Sequence, residues 1–198
     1  MKLNPLKWTA PKALLLLSLT LIPLSSLSAC STAPAQANAE TTATGNNAEM
    51  AQLVAELARY QNAEQTVETH LQTFDTLDFD VFTHQQWDRL HESHAENIKV
   101  HWPDGHTTEG IEVHTNDLKA MFVYAPDTRI ETHPVKVGQG EWTAVIGIME
   151  GTFTEPMPLA DGQSIPPTGK SFKITMATVG HWKDGVMDEE YSTIAGLS

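Results

Sequence analysis

Few residues of this chain have the chemistry to move a proton or hold a metal, and each can be weighed by its neighbours. Glu150 ends an alternating run in which Trp142, Ala144, Ile146, Ile148 and Glu150 share one side of a strand. Burial raises a carboxyl pKa toward the range useful for general acid and base work. The alternative for Glu150 is an outward, solvated side chain. His101 sits in a second alternating run, Asn97 to Trp102, so only one of His101 and Trp102 faces the interior unless the strand end bulges. Imidazole is the natural proton carrier near neutral pH, although a strand histidine also serves as a hydrogen-bonded core or surface residue. Asp104 lies in Pro103-Asp104-Gly105, where turn stabilisation competes with catalysis. His114 and Asp117 are three apart on a helix and could form a pair, exposed or functional.

The chain has nine histidines. His91 and His94 share one helix face, and His101, His106 and His114 follow within a short span. Imidazole binding of zinc or copper is conceivable on that count. No His-Glu-x-x-His string supports it, and the expectation is no specific metal site. There is no Gly-rich phosphate loop and no Gly-x-Ser-x-Gly elbow, so neither nucleotide-dependent nor serine-hydrolase chemistry has a motif.

The single cysteine bears on location rather than catalysis. Residues 1–29 have a basic start (Lys2, Lys7, Lys12), an apolar run from Ala13 to Leu24 and a small-residue end before Cys30, the layout of an export signal. The apolar run is shorter than the roughly 20 residues a membrane helix needs. Leu27-Ser28-Ala29-Cys30 resembles a bacterial lipobox, which implies lipidation of Cys30 and anchoring to a membrane through the lipid. Ser31 after the cysteine points to the outer membrane, facing the periplasm. Lipidation also removes the only thiol, leaving none for disulfides or thiolate catalysis.

Removing Lys2, Lys7 and Lys12 takes the formal charge from −13 to −16. So acidic a chain is a poor partner for nucleic acid, whose binding needs clustered Lys and Arg. Residues 30–48 offer no apolar side chain larger than Ala beyond the cysteine and read as a lipidated flexible tether. Residues 49–198 form the folded domain.

Its elements must position the candidates. Met50, Leu53, Val54 and Leu57 repeat at helical spacing, and further helices are expected over Glu64 to Phe74 and Thr83 to His94, with Thr83 as N-cap. A short strand follows, then a helix from Glu109 to Phe122. Beyond it come strands: Thr128 to Val137, Glu141 to Thr154, Ser171 to Lys183 and Val186 to Ile194, with turns at Gly138-Gln139-Gly140 and Asp184-Gly185. Helices first and antiparallel strands afterwards argue for an α+β domain.

Strings through this region carry a resemblance. His101-Trp102-Pro103-Asp104-Gly105, Asp117 to Phe122, Ala125-Pro126-Asp127-Thr128-Arg129, Gly151-Thr152-Phe153-Thr154, Pro166-Pro167-Thr168-Gly169-Lys170 and His181-Trp182-Lys183-Asp184-Gly185, in this order, look like the SnoaL-like polyketide cyclase or ester cyclase family. The resemblance spans roughly His84 to Tyr191. It implies the nuclear-transport-factor-two-like fold: a cone-shaped curved antiparallel sheet covered by N-terminal helices around an apolar cavity. It implies a cofactor-free cyclase or isomerase that places an acid in that cavity, and homodimers are common in the superfamily. Thr178 stands where the characterised cyclases carry their Asp, and Thr178 cannot take a proton near neutral pH.

Trp102, Phe122, Trp142, Met149, Met176, Thr178 and Trp182 are the candidate ligand-binding surface, and Glu150, His101 and Asp104 the candidate acids and bases. Two classes of function stay open. One is an enzyme acting on a small apolar carbonyl compound; the other is a non-catalytic periplasmic carrier or sensor using the same cavity. Relatives usually continue past Glu189-Glu190-Tyr191 into a terminal helix, so the N-terminal helix over 49–60 is expected to supply the cover.

Overall fold

The computed structural model describes residues 36–159 and 161–195; the expected export signal, Cys30 and the first part of the expected tether lie outside them. The first element is α1, Gln36–Thr76. It runs without a break through the two expected helices, because Gln61-Asn62-Ala63 between them holds no helix breaker. It begins within the stretch read as a tether. Residues 46–66 are exposed, and Met50, Leu53, Val54, Leu57 and Tyr60 keep 55–61% of their surface. That stripe therefore does not supply cover. The helix becomes core-facing only at His70, Phe74 and Leu77, four and three residues apart on one face.

The last turn widens into a π-helical segment, Leu77–Phe82, burying Leu77, Val81 and Phe82. Thr83, expected to start a helix, instead ends this one. Its N–H donates to Asp78 O at 3.2 Å, and its Oγ1 lies 2.7 Å from the same carbonyl and accepts the Ile130 N–H at 2.9 Å. The Asp78 backbone is thereby fastened to the sheet. A 3₁₀ helix, Trp87–Glu92, replaces most of the expected third helix and leads directly into β1, His94–His101.

β2 (Thr107–Glu109) pairs with β1, and α2 (Ile111–Tyr124) crosses back. The remaining strands are β3 (Arg129–Ile130), β4 (Val135–Gln139), β5 (Trp142–Thr152), a small hairpin of β6 (Met157–Pro158) and β7 (Ser164–Ile165), β8 (Ser171–Lys183) and β9 (Val186–Ala195). The main sheet has the order β2-β1-β9-β8-β5-β3, with β4 also on β5. It is curved and antiparallel except where β1 runs parallel to β9. The Asp184-Gly185 turn joins β8 to β9 with φ of +53° and +87°, the left-handed pair that a two-residue hairpin needs. The expected strand Thr128 to Val137 is split into two: between them Thr132 O still accepts the Ile148 N–H at 3.1 Å, but Pro134 has no N–H to donate. His133 lies in that interruption.

Alternation along β5 decides which side is inside. Thr143, Val145 and Met149 are buried, so Trp142, Ala144, Ile146, Ile148 and Glu150 form the other face, and Trp142 keeps 43% of its surface. The inner face carries two clusters. Phe74, Leu90, Ile98, Val145, Trp182 and Met187 fill one; Phe82, Phe122, Ile130 and Met149 fill the other. Trp182 is 1% exposed, donates its indole N–H to Thr143 Oγ1 at 2.8 Å and stacks on His70 at 4.5 Å. Among the described residues no helix is long and apolar enough to cross a membrane.

Because residues 46–60 are exposed, replacing Met50, Leu53, Val54 or Leu57 by Gln should each change the unfolding free energy by about 0.5 kcal/mol or less, the range typical of changes away from a core. Urea denaturation followed by Trp fluorescence checks this, and a loss of several kcal/mol would show that the apolar stripe is covered in solution.

Candidate functional site

Between the two clusters lies a cavity of about 60 Å³, walled mostly by apolar side chains such as Phe74, Phe82, Leu118, Met121, Ile130 and Met176. Its titratable side chains come from four places: Asp78 in the π-helical turn, His94 in β1, His114 in α2, and Glu190 in β9; Ser192 of β9 and, opposite it, Thr178 of β8 add hydroxyls. Three of the four segments that carry the titratable groups reach the cavity through an irregularity. The π turn carries Asp78 inward. In β1 the register with β9 slips between His94 and Lys99. In β9 the pairing to β8 moves from Trp182↔Met187 to His181↔Glu189, so Asp188 is an extra residue and both Met187 and Glu190 turn inward.

Glu190 is 9% exposed, with its Oε2 3.4 Å from His94 Nε2 and 3.7 Å from His114 Nε2. The Ser93 hydroxyl bridges Leu90 O at 3.2 Å and His94 Nδ1 at 2.9 Å. Burial raises the Glu190 carboxyl, but His94 and His114 outweigh it and hold it below its ordinary value, so it is an anion at neutral pH. His114 is 2% exposed, with its ring 5.0 Å from that of His94 and 5.7 Å from that of Trp102. Burial drives its pKa down to about 4 against the pull of Glu190. The Glu190 contact is thus an anion against a neutral imidazole, and His114 Nδ1 is buried with no hydrogen-bond partner.

Asp78 is built differently. Its Oδ2 accepts from His133 Nε2 at 2.8 Å, and His133 Nδ1 donates to Asp75 Oδ1 at 2.7 Å. Asp75 also takes an ion pair from Lys136. The His133 side chain is 1% exposed and Asp75 28%, so the row Asp78, His133, Asp75 runs from the cavity to the surface. Burial pushes the Asp78 carboxyl above its usual range, with Glu190 adding to the rise and His133 opposing it. Burial alone would lower His133, but the two carboxylates raise it. Lys136 and His133 keep Asp75 low despite its own burial. Gly147 faces this row: a Cβ there would stand 3.7 Å from Asp78 Oδ2 and 3.6 Å from His133.

The sequence candidates divide. Trp102, Met176 and Thr178 line the cavity. Phe122, Met149 and Trp182 are buried in the apolar clusters beside it. Glu150 is on the opposite sheet face, bound by Arg129 at 3.1 Å and Lys173 at 2.7 Å, and these cations hold its carboxyl low. His101 stacks on Tyr191 at 4.1 Å and contacts Glu189 at 2.8 Å, away from the cavity. Asp104 is an exposed turn residue bonded to the His106 N–H. Trp142 is on the outer face. Asp78, Glu190 and Ser192 were not singled out from sequence; His114 was weighed with Asp117, and His94 and His114 within the histidine run, but not with each other or with Glu190. Asp78 had a signal: His70, Phe74, Leu77, Asp78 and Val81 fall on one helical face.

The pH dependence of the buried row follows from these directions. His133 is raised above 6.5 in the folded state, so the stability it contributes is complete below pH 6.5 and is lost as pH rises through the folded value. His133→Leu should cost about 3 kcal/mol, as breaking a buried ion pair does. The cost should be larger at pH 6 than at pH 9, and urea titrations at both values measure it; an equal cost would mean His133 is neutral throughout.

A family model described as SnoaL-like polyketide cyclase matches residues 72–194, from the end of α1 to the last residues of β9. Among solved structures, a candidate SnoaL-like polyketide cyclase from Jannaschia sp. CCS1 is 18% identical and covers 65% of this chain and 86% of its own, with a TM-score of 0.56. IdmH, a candidate polyketide cyclase from Streptomyces antibioticus, is 21% identical over 64% of this chain and 91% of its own, with a TM-score of 0.54. TsrD from Streptomyces laurentii is 14% identical over 66% and 89%, with a TM-score of 0.52. At these identities the likeness is one of fold, and no curated protein sequence matches the chain. The family model spans more than half of the chain and every element that walls the cavity, and on that ground the chain belongs to the SnoaL-like polyketide cyclase family.

Proposed function

We propose that this protein is an acid/base enzyme of the cyclase or isomerase type, acting on a small apolar carbonyl compound in the cavity. The observation that carries the reading is Asp78: a buried carboxyl with a raised pKa, opening on apolar walls and held from behind by His133. A carboxylate of this kind removes a proton from the carbon beside a carbonyl and returns it at oxygen or at another carbon. His133 holds Oδ2, which leaves Oδ1 for the substrate proton. The row through His133 to Asp75 gives Asp78 a route for exchanging protons with solvent. Pockets for drug-sized ligands run to roughly 300–1,000 Å³. At about 60 Å³ this one suits a ligand of few heavy atoms, and movement of Met121 and Leu118 would admit a larger one. A non-catalytic carrier would have no use for a raised carboxyl in its pocket, so the enzyme reading is the better supported.

Solvent deuterium exchange into the α-carbon of small β-keto esters, followed by NMR, tests this step. The wild type should accelerate exchange, and Asp78→Asn should lower the enzymatic rate by about 10²–10⁴-fold, the usual weight of a general base. Glu150→Gln should leave it unchanged. Binding without exchange, or full exchange in Asp78→Asn, would favour the carrier instead.

The enzyme is further proposed to be a lipoprotein of the outer membrane, facing the periplasm, anchored through lipid on Cys30 and spaced by residues 30–48. Supporting this are the lipobox-like Leu27-Ser28-Ala29-Cys30 and Ser31 after it. Cys30→Ala should move the protein from the membrane pellet to the soluble fraction and abolish palmitate labelling. A variant that stays in the pellet would remove lipid as the anchor.

A further inference from the structure

His94, His114 and Glu190 come from three separate elements, and one donor atom of each lies within 4.8 Å of the others. All three are buried, at 2%, 2% and 9% exposure. Two imidazoles and one carboxylate make up the protein ligands of many catalytic zinc and non-haem iron(II) centres. Donors about 2.1 Å from a tetrahedral ion stand roughly 3.4 Å from one another. His94 Nε2 and Glu190 Oε2 are 3.4 Å apart, and His114 Nε2 is 3.7 Å from the same oxygen.

The surroundings fit as well. Ser93 Oγ lies 2.9 Å from His94 Nδ1, the ring nitrogen away from the carboxylate, while Nε2 faces Glu190. Holding the ring through its far nitrogen is what outer-shell partners of metal-bound histidines do. His114 is 2% exposed and turns its Nε2 toward the same carboxylate oxygen. All three residues also line the cavity, so three protein donors leave a coordination position that opens onto it, as in catalytic rather than structural sites.

We propose that His94, His114 and Glu190 bind one divalent first-row transition ion of the zinc class, with an open coordination position toward the cavity. The site rests on the acid/base reading only for its use: there the ion would polarise the carbonyl oxygen while Asp78 moves the proton. The ion itself is bound without any substrate.

The test is equilibrium dialysis of the chelator-treated full chain against Zn²⁺, with Co²⁺ as a visible-absorption probe. One ion per chain is expected, with Co²⁺ bands that Zn²⁺ abolishes. His114→Gln and Glu190→Gln should weaken binding more than about tenfold, whereas His91→Gln on the surface and Asp78→Asn should not. Imidazole ¹⁵N spectra of the wild type need no folded variant: Zn²⁺ should shift His94 and His114 alone among the nine histidines. No stoichiometric uptake, unaltered His94 and His114 signals, or equal binding by both triad variants would overturn the site. Stoichiometric binding without any α-proton exchange would uphold the site and remove the role given to Asp78. Exchange in a wild type that takes up no metal would do the opposite.

Discussion

Two carboxylates, Asp78 and Glu190, sit among apolar side chains with only 14% and 12% of their own surface exposed, and each must find partners there because little water reaches it. An unpaired buried charge costs several kcal/mol, enough to consume much of a domain's stability. This requirement organises the elements around the cavity. For Asp78 the partner is His133, which reaches it only because β3 and β4 are separated by an interruption at residues 131–134. For Glu190 the partners are His94 and His114, brought together by a bulged β1 and by the start of α2. The irregular segments of the fold and its buried charges coincide.

That coincidence explains what the sequence did and did not disclose. Regular periodicity found the strands of the sheet, the Asp184-Gly185 hairpin and the helix α2, because an unbroken alternation or helical stripe reports its own geometry. It also found that the side of β5 with Trp142, Ile146 and Ile148 is apolar, but that side is the outer one, so apolarity alone could not tell the inner face from the outer. The inner side was instead the one with the small residues, Thr143 and Gly147, which leave room for Trp182 and for the Asp78 row. Of the two readings open for Glu150, the outward, solvated one is therefore the one the structure shows.

Glu190 was harder still. Strict alternation from the buried Met187 would turn Glu189 inward and Glu190 outward. The extra residue Asp188 reverses this, and Glu189 binds His101 on the outside instead. A one-residue shift exchanges the two faces of a strand completely. No composition or spacing in Val186-Met187-Asp188-Glu189-Glu190 marks the bulge, since each residue there is compatible with either register. His94 was hidden likewise, because its strand begins three residues earlier than the alternation indicates, and the bulge falls between it and the regular part. Asp78 was hidden for a different reason: an acidic residue on a helical apolar stripe is ordinarily read as a boundary.

The opposite directions of the two carboxyl pKa values follow from their different partners. Glu190 faces two imidazoles within 4 Å and remains an anion; Asp78 has one imidazole, which it shares with Asp75, and it also feels the charge of Glu190. Holding one carboxylate ionised in a small cavity makes ionisation of the other less favourable, so the first sets the proton affinity of the second. Pairs of groups whose proton affinities are driven apart in this way divide the roles of a site between a fixed charge and a mobile proton. Thr178, where the resemblance in the sequence implied an acid, fits this arrangement. The cavity already contains a carboxyl on the helical side in Asp78, and a third carboxylate opposite Ser192 would raise both of the others and cost stability.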